Sequence, residues 1–172
     1  GNGAAQQFQA DVTGEVMTAL FAARESGVPE SELSWPLERA LLRRAERRID
    51  EPDRGIWEIR GEPQMFTHSR AMVWAAFDRG IRSVREHGLP GPVETWERHR
   101  DRVRARIDAR GVSAAGHFTQ HEGTDAVDAS LLLLPTVGFC APDDPRMLAT
   151  VAEIERTLLS DGLVLRYRTE SG

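Results

Sequence analysis

The chain has 172 residues, 40% hydrophobic and 28% charged, with a formal net charge of −5. This is the composition of a globular domain with a core of its own, and its negative charge argues against general affinity for nucleic acid. One cysteine excludes an internal disulfide, and no apolar run approaches the ~18 residues of a membrane span. We therefore expect a cytoplasmic protein with no nucleic-acid or membrane partner.

Hydrophobic periodicity, interrupted by glycine and proline, predicts six helices in succession. They cover approximately residues 8–26, 34–49, 66–87, 93–111, 127–134 and 145–159. A Gly- and Ser-rich loop follows the fourth helix, and residues 164–167 form the one convincing extended run. This order predicts an all-α fold of helical hairpins.

The same periodicity predicts which side of each helix is buried. In the first helix the predicted stripe is Val12, Val16, Ala19, Leu20 and Ala23; in the second it is Leu37, Leu41, Ala45 and Ile49. In the third and fourth helices the predicted core residues are Phe66, Val73, Phe77, Ile81, Val84, Val93, Trp96, Val103 and Ile107.

The stretch between the second and third helices has the residue types of a functional loop. Breakers and turn formers, Pro52, Asp53, Gly55, Gly61 and Pro63, surround the apolar run Ile56-Trp57-Glu58-Ile59. A loop with a tryptophan beside a carboxylate, followed by a strongly patterned helix, is a typical place for a binding or catalytic group. A connector whose tryptophan fills the core and whose glutamate faces water has the same pattern.

Residues 55–61, GIWEIRG, and 65–79, MFTHSRAMVWAAFDR, resemble glycoside hydrolase family 15, which contains glucoamylases, glucodextranases and bacterial trehalases. Residues 1–16, 125–135 and 161–172 are similar to further family segments in the same order. The resemblance implies a catalytic domain with an (α/α)6 toroid of twelve helices. The six predicted helices, residues 1–172, would form about half of that ring, with both ends of the domain missing.

The resemblance also implies site residues. Glu58 matches the family's general acid, and the family inverts the anomeric centre, which implies release of β-glucose from an α-glucoside. Substrate contacts are implied for Gln9, Asp11, Trp57, Arg60 and Arg166. Asp11 is equally consistent with stabilising a helix N-terminus, and Arg166 with a surface ion pair.

Two expectations concern the setting of the acid. A general acid must hold its proton near neutral pH, which burial favours, and Ile56, Trp57 and Ile59 are expected to provide an apolar cover. Arg60 would oppose protonation at close range, so we expect it to face sugar hydroxyls or a structural acid such as Asp53.

The general base of the family lies in a segment that these residues do not contain, so we expect the base beyond residue 172 and the isolated chain to be inactive. Trehalose, maltooligosaccharides and isomaltose-type sugars remain open, with a slight preference for trehalose. A non-catalytic helical scaffold or interaction module is the alternative.

No metal, cofactor or phosphate-dependence motif stands out. His117 and His121 are four residues apart but lie in a loop and lack the glutamate of a zinc motif, and Cys140 has no local partner for catalysis. Since a half ring would leave inner helix surface uncovered, we expect the chain to self-associate through that face.

Overall fold

The structure, a computed structural model, describes residues 8–29 and 31–168. The segments 1–7 and 169–172, which carry part of the family resemblance, lie outside the described residues. The helices are α1 (Asp11–Glu25), α2 (Ser34–Arg47), α3 (Thr67–His87), α4 (Val93–Arg110), a 3-10 helix (Ala129–Leu133) and α5 (Pro145–Leu158). A two-stranded antiparallel hairpin, β1 (Leu159–Ser160) and β2 (Leu163–Val164), follows α5. The all-α prediction is confirmed.

The helix ends lie close to the glycine and proline residues that predicted them. Gly88 ends α3 in the left-handed conformation, with φ 70°, which glycine adopts without a Cβ clash. Asp144 caps α5 by accepting a hydrogen bond from the Arg146 backbone N–H at 2.9 Å, and Pro145 occupies the first turn. The predicted fifth helix is a single 3-10 segment, so its length and type were wrong.

Helix α3 is the centre of the structure and packs against both α1 and α4. It is buried almost all round from Thr67 to Phe77. Gly14 of α1 lies so close to α3 that a Cβ there would meet the Met72 carbonyl oxygen at 2.2 Å. The closest α1–α3 approach therefore requires glycine.

This close approach explains why the predicted face of α1 is wrong. Val12 is 48% exposed, whereas Met17 and Phe21 are buried at 0% and 4%. Helix α1 faces α3 with Gly14, so the predicted apolar stripe that begins at Val12 does not face α3. In α2 the buried side carries Trp35 and Leu42, and Leu37 is exposed. Of the inward residues predicted for α4, Trp96, Val103 and Ile107 are confirmed, whereas Val93 is only half-buried.

Side-chain contacts fix the directions of the helices. The N-terminus of α1 meets the loop before α3, since the Ala10 backbone N–H donates to Asp53. The C-termini of the same two helices also meet, through Arg24 with Ser83. Helices α1 and α3 therefore run parallel.

The molecule has two ends that differ in construction. We call the end formed by residues 9–11, 48–70 and 111–128 the loop end, and the end formed by residues 24–29, 31–38 and 83–92 the turn end. Long connections lie at the loop end and short ones at the turn end. In the part of the chain that the structure describes, no helix is long and apolar enough to cross a membrane.

Candidate active site

The loop before α3 is closed at its base by a pair of backbone hydrogen bonds. Asp53 and Gln64 exchange N–H···O bonds of 2.9 Å in both directions. Inside this closure the Glu58 N–H donates to the Gly55 carbonyl at 3.1 Å and the Ile59 N–H to the Arg54 carbonyl at 3.0 Å. Trp57 and Glu58 are therefore carried on a tight, hydrogen-bonded turn.

Glu58 has a strained backbone. Its φ is +49°, in the left-handed region that L-residues other than glycine and asparagine rarely enter. Among the described residues only Asp161 shares this feature without being glycine. Such strain persists only where surrounding bonds over-determine it, and it concentrates at functional sites.

Two segments that are distant in the sequence converge on this turn. Gln9, just before α1, donates from Nε2 to Glu58 Oε1 in a long hydrogen bond of 3.5 Å. The Arg166 guanidinium lies 5.9 Å from the Trp57 ring centroid, within cation–π range. The Ala129 backbone N–H holds the Arg166 carbonyl at 2.9 Å, which anchors the segment after the hairpin. The structure thus brings together Gln9, Trp57, Glu58 and Arg166.

Arg60 takes a different position. It is exposed and lines a cleft of about 370 Å³ with Phe66, Gln120, His121 and Tyr167. Of its two expected positions, the one facing Asp53 is not observed, because the ion pair of Asp53 within the described residues is with Arg70, at 3.8 Å. The position facing sugar hydroxyls stays a prediction. The predicted apolar cover is not formed within the described residues either, since Glu58 is exposed and Trp57 only half-buried.

Beneath the turn lies a buried pair of charges, Asp53 and Arg70, whose pairing the sequence pattern does not indicate. Asp53 is 1% exposed and accepts backbone hydrogen bonds from Ala10, at 2.9 Å, and from Gly55, at 3.2 Å. Arg70, 2% exposed, faces Asp53 and donates to the Ile49 carbonyl at 2.8 Å. A hint was available in the run Thr67–Arg70, four polar residues that open a helix and precede the apolar run of residues 71–77.

Two titratable groups near this network are poorly solvated. Burial, reinforced by the charge of Asp53, raises the pKa of Asp11 to about 6. Burial lowers the pKa of His68 to about 4, so its imidazole is neutral at pH 7. Asp11 Oδ1 and both His68 ring nitrogens have no hydrogen-bond partner among the described residues.

Asp128 lies close to the other side of Trp57. It caps the 3-10 helix by accepting from the Ser130 backbone N–H at 3.0 Å and from the Ser130 hydroxyl at 2.5 Å. Burial raises the pKa of Asp128, while Ser130, Gln120 and Trp57 oppose the increase. The indole N–H of Trp57 is nevertheless without a hydrogen bond of normal geometry in the described chain.

The two loop histidines make structural contacts. His117 Nε2 pairs with the Asp125 backbone carbonyl at 2.9 Å, and His121 Nδ1 with that of Glu122, also at 2.9 Å. Cys140 is half-buried, and burial raises the pKa of its thiol. Neither feature gathers a nucleophile or a ligand set.

Solved structures define the class to which this fold belongs. A wild-type glycosidase structure superposes with a TM-score of 0.80 at 22% sequence identity, over 94% of this chain and 43% of that one. A glycosidase variant in complex with glucose superposes equally well, with a TM-score of 0.80 over the same fractions of the two chains. The fold matches that of about two fifths of these glycosidase chains.

The sequence assigns the family. The family model for glycosyl hydrolases family 15 matches residues 1–172. This chain belongs to glycosyl hydrolases family 15, and its helices form part of the family's helical toroid.

Curated relatives are consistent with this assignment. A trehalase of Mycobacterium tuberculosis is 43% identical over 168 residues, which cover 98% of this chain and 25% of the relative. A trehalase of Thermoplasma acidophilum is 35% identical over 174 residues, covering 100% of this chain and 30% of the relative. The chain thus spans between a quarter and a third of the length of these two trehalases.

Proposed function

We propose that the protein containing this chain hydrolyses an α-glucoside, with trehalose as the preferred substrate, and that Glu58 is its general acid. The observation that carries the proposal is the strained turn of Glu58, with φ +49°, at the loop end where Gln9, Trp57 and Arg166 converge. The names of the two trehalases above support the choice of substrate.

In the proposed reaction Glu58 donates its proton to the glycosidic oxygen as the bond to the anomeric carbon breaks. A water molecule attacks the opposite face of the sugar, which inverts the centre and releases β-glucose. Gln9, Asp11 and Arg166 would hold sugar hydroxyls, since their polar groups lie on or next to the segments that surround the turn. Trp57 would provide an apolar ring face against the sugar.

Glu58 is exposed to solvent within the described residues. A carboxyl holds its proton near neutral pH when water is excluded from it. We infer that the bound sugar and the rest of the protein provide that cover. The water also needs a general base, a second carboxylate roughly 6.5–9.5 Å from the acid in inverting hydrolases. We propose that this base lies outside residues 1–172.

The alternative, a non-catalytic helical scaffold, does not require a strained glutamate beside a tryptophan.

Self-association of the isolated chain stays a prediction. Apolar side chains available for it are exposed in α5 and the hairpin, including Leu148 at 56% and Leu163 at 72%.

The test is Glu58→Gln in the full-length protein, because glutamine keeps the shape of the side chain and removes the proton donor. We expect kcat for trehalose to fall by roughly 10²–10⁴-fold, the contribution of general acid catalysis, while the melting temperature is unchanged. Glu62→Gln, on an exposed acid of the same loop, is the matched control and should retain activity. A Glu58→Gln enzyme within about threefold of wild type would remove Glu58 from the mechanism, since the expected loss is at least tenfold larger.

A further inference from the structure

Asp53 connects three parts of the loop end through one buried carboxylate. Its Oδ2 accepts the Ala10 N–H at 2.9 Å, at the start of α1. Its Oδ1 accepts the Gly55 N–H at 3.2 Å, inside the turn that carries Glu58. Its backbone pairs with Gln64 on the far side of the same loop.

The carboxylate is itself held from α3. Arg70 Nη2 lies 3.8 Å from Asp53 Oδ2, and both side chains are almost fully buried, at 2% and 0% exposure. The Arg70 guanidinium also donates to the Ile49 carbonyl at 2.8 Å, at the end of α2. A buried carboxylate that accepts two backbone N–H groups beside a guanidinium has one well-defined position.

The geometry points to Asp53 as the positioning residue of the general acid. Gly55 accepts the Glu58 backbone N–H at 3.1 Å, so the Asp53–Gly55 bond fixes the residue against which the strained turn closes. The Asp53–Ala10 bond fixes the residue next to Gln9, whose amide reaches Glu58. Asp53 thus orients the proton donor from both sides without touching substrate. This inference rests on the proposed role of Glu58.

Rotating or shifting a catalytic group by about 1 Å can lower the rate by roughly 10²-fold. Asp53→Asn keeps the size of the side chain, but its amide can accept only one of the two backbone N–H groups and presents a donor to the other. We therefore expect kcat for trehalose to fall by about 10- to 100-fold, with KM changed by less than about threefold, because geometry and not sugar binding is disturbed.

A substrate whose hydrolysis depends little on the general acid distinguishes misplacement of the acid from a general loss of activity. Fluoride leaves α-glucosyl fluoride without full proton transfer, whereas the glucose leaving group of trehalose requires it. Loss of acid positioning should therefore lower trehalose hydrolysis much more than fluoride hydrolysis, by at least about tenfold in the ratio of the two rates. Because both rates are measured in one preparation, their ratio does not depend on the fraction of folded protein.

The full-length protein carrying Asp53→Asn should show this changed ratio, as Glu58→Gln should. The matched control is Glu38→Gln, which alters an equally buried acid paired with Arg24 at 2.5 Å at the turn end. It should lower the melting temperature and leave the ratio unchanged.

An Asp53→Asn enzyme that loses both activities equally, or keeps both, would overturn the inference. If Glu58→Gln also leaves the ratio and the rates unchanged, the proposed function fails instead. Should Asp53→Asn yield no folded protein, Arg70→Lys provides the same test, since it keeps the positive charge beside Asp53 but lacks the planar fork that reaches Ile49. Its ratio should shift in the same direction, and an unchanged ratio in folded Arg70→Lys would contradict the inference.

Discussion

The loop end and the turn end differ in whether their buried polar groups are hydrogen-bonded. At the turn end Arg24 donates to Glu38 at 2.5 Å and to the Ser83 hydroxyl at 2.7 Å, and all three side chains are buried. At the loop end several buried polar atoms have no hydrogen-bond partner within residues 8–29 and 31–168. They belong to Asp11, Trp57, Thr67, His68, Ser69, Arg70 and Gln120.

We interpret this difference as one between a structural end and the end that carries the candidate site. Buried polar groups are nearly always hydrogen-bonded in native proteins, because each unsatisfied one costs about 1–3 kcal/mol. A cluster of exceptions, together with the strained backbone of Glu58, is expected where the protein is organised for binding or chemistry. The turn end contributes stability that the loop end lacks.

The largest effect should come from breaking the turn end. Arg24→Met removes the guanidinium and leaves the Glu38 carboxylate buried without this cationic partner. Breaking a buried ion pair in this way costs about 3–5 kcal/mol, which urea denaturation of the full-length protein would measure. Activity per folded molecule should be unchanged, because Arg24 lies 13 residues along α1 from Asp11, about 20 Å at the helical rise per residue. A loss of stability below about 1 kcal/mol, the size typical of an exposed pair, would contradict the comparison.

An intermediate effect, of opposite sign, is expected for Asp11→Asn. The pKa of Asp11 is raised from 3.8 to about 6 in the folded protein, so the folded state favours the protonated form. The resulting stabilisation is complete below about pH 4 and is lost as the pH rises through about 6. Asparagine is neutral throughout, so the variant should be more stable than wild type at pH 7 by at most about 3 kcal/mol, with the gain vanishing near pH 4.

Thermal melts between pH 4 and pH 7 would measure this trend, with Glu155→Gln, on an exposed acid of α5, as the control. Catalytic efficiency should fall at the same time, because Asp11 is proposed to hold the sugar. A stability difference that is constant with pH would show that the Asp11 carboxyl does not titrate as described.

The smallest effect should come from relieving the strain at Glu58. Glycine adopts φ +49° without the Cβ clash, so Glu58→Gly should stabilise the fold by about 0.5–1 kcal/mol. The same variant should lose activity as completely as Glu58→Gln. Asp161→Gly is the matched control, since Asp161 has the same φ in the turn between β1 and β2. It should give a similar gain in chemical denaturation and keep activity; a destabilised Glu58→Gly would mean that the backbone is not strained.

The sequence predicted the helices well because their ends are set locally. Pro92 and Pro145 fix φ at their own positions, and Gly88 and Gly111 favour a helix C-terminus, so the predicted ends lie within a few residues of the observed ones. The orientation of α1 could not be predicted in this way. It depends on Gly14 meeting the backbone of α3, a contact between residues 58 positions apart along the chain, Gly14 and Met72.

The candidate site likewise contains residues that the sequence predicted and residues that only the fold brings together. The resemblance in the GIWEIRG segment identified Glu58 and Trp57, and the structure places Gln9 and Arg166 beside them. Their catalytic and binding roles stay predictions. The pairing of Asp53 with Arg70 could not be predicted, because a carboxylate in a turn and an arginine in a helix are usually exposed. Only the fold buries the two against each other.

The backbone pairing of Asp53 with Gln64 makes the intervening loop a separable unit. Since the chain leaves and re-enters the helical frame at adjacent points, its length and composition between them can change without displacing α2 or α3. Residues such as Arg60 and Glu62 are then free to diverge between relatives while the frame stays constant. For protein engineering, residues 60–63, which follow the turn that carries Glu58, are the part of this loop that can be exchanged without removing the proposed general acid.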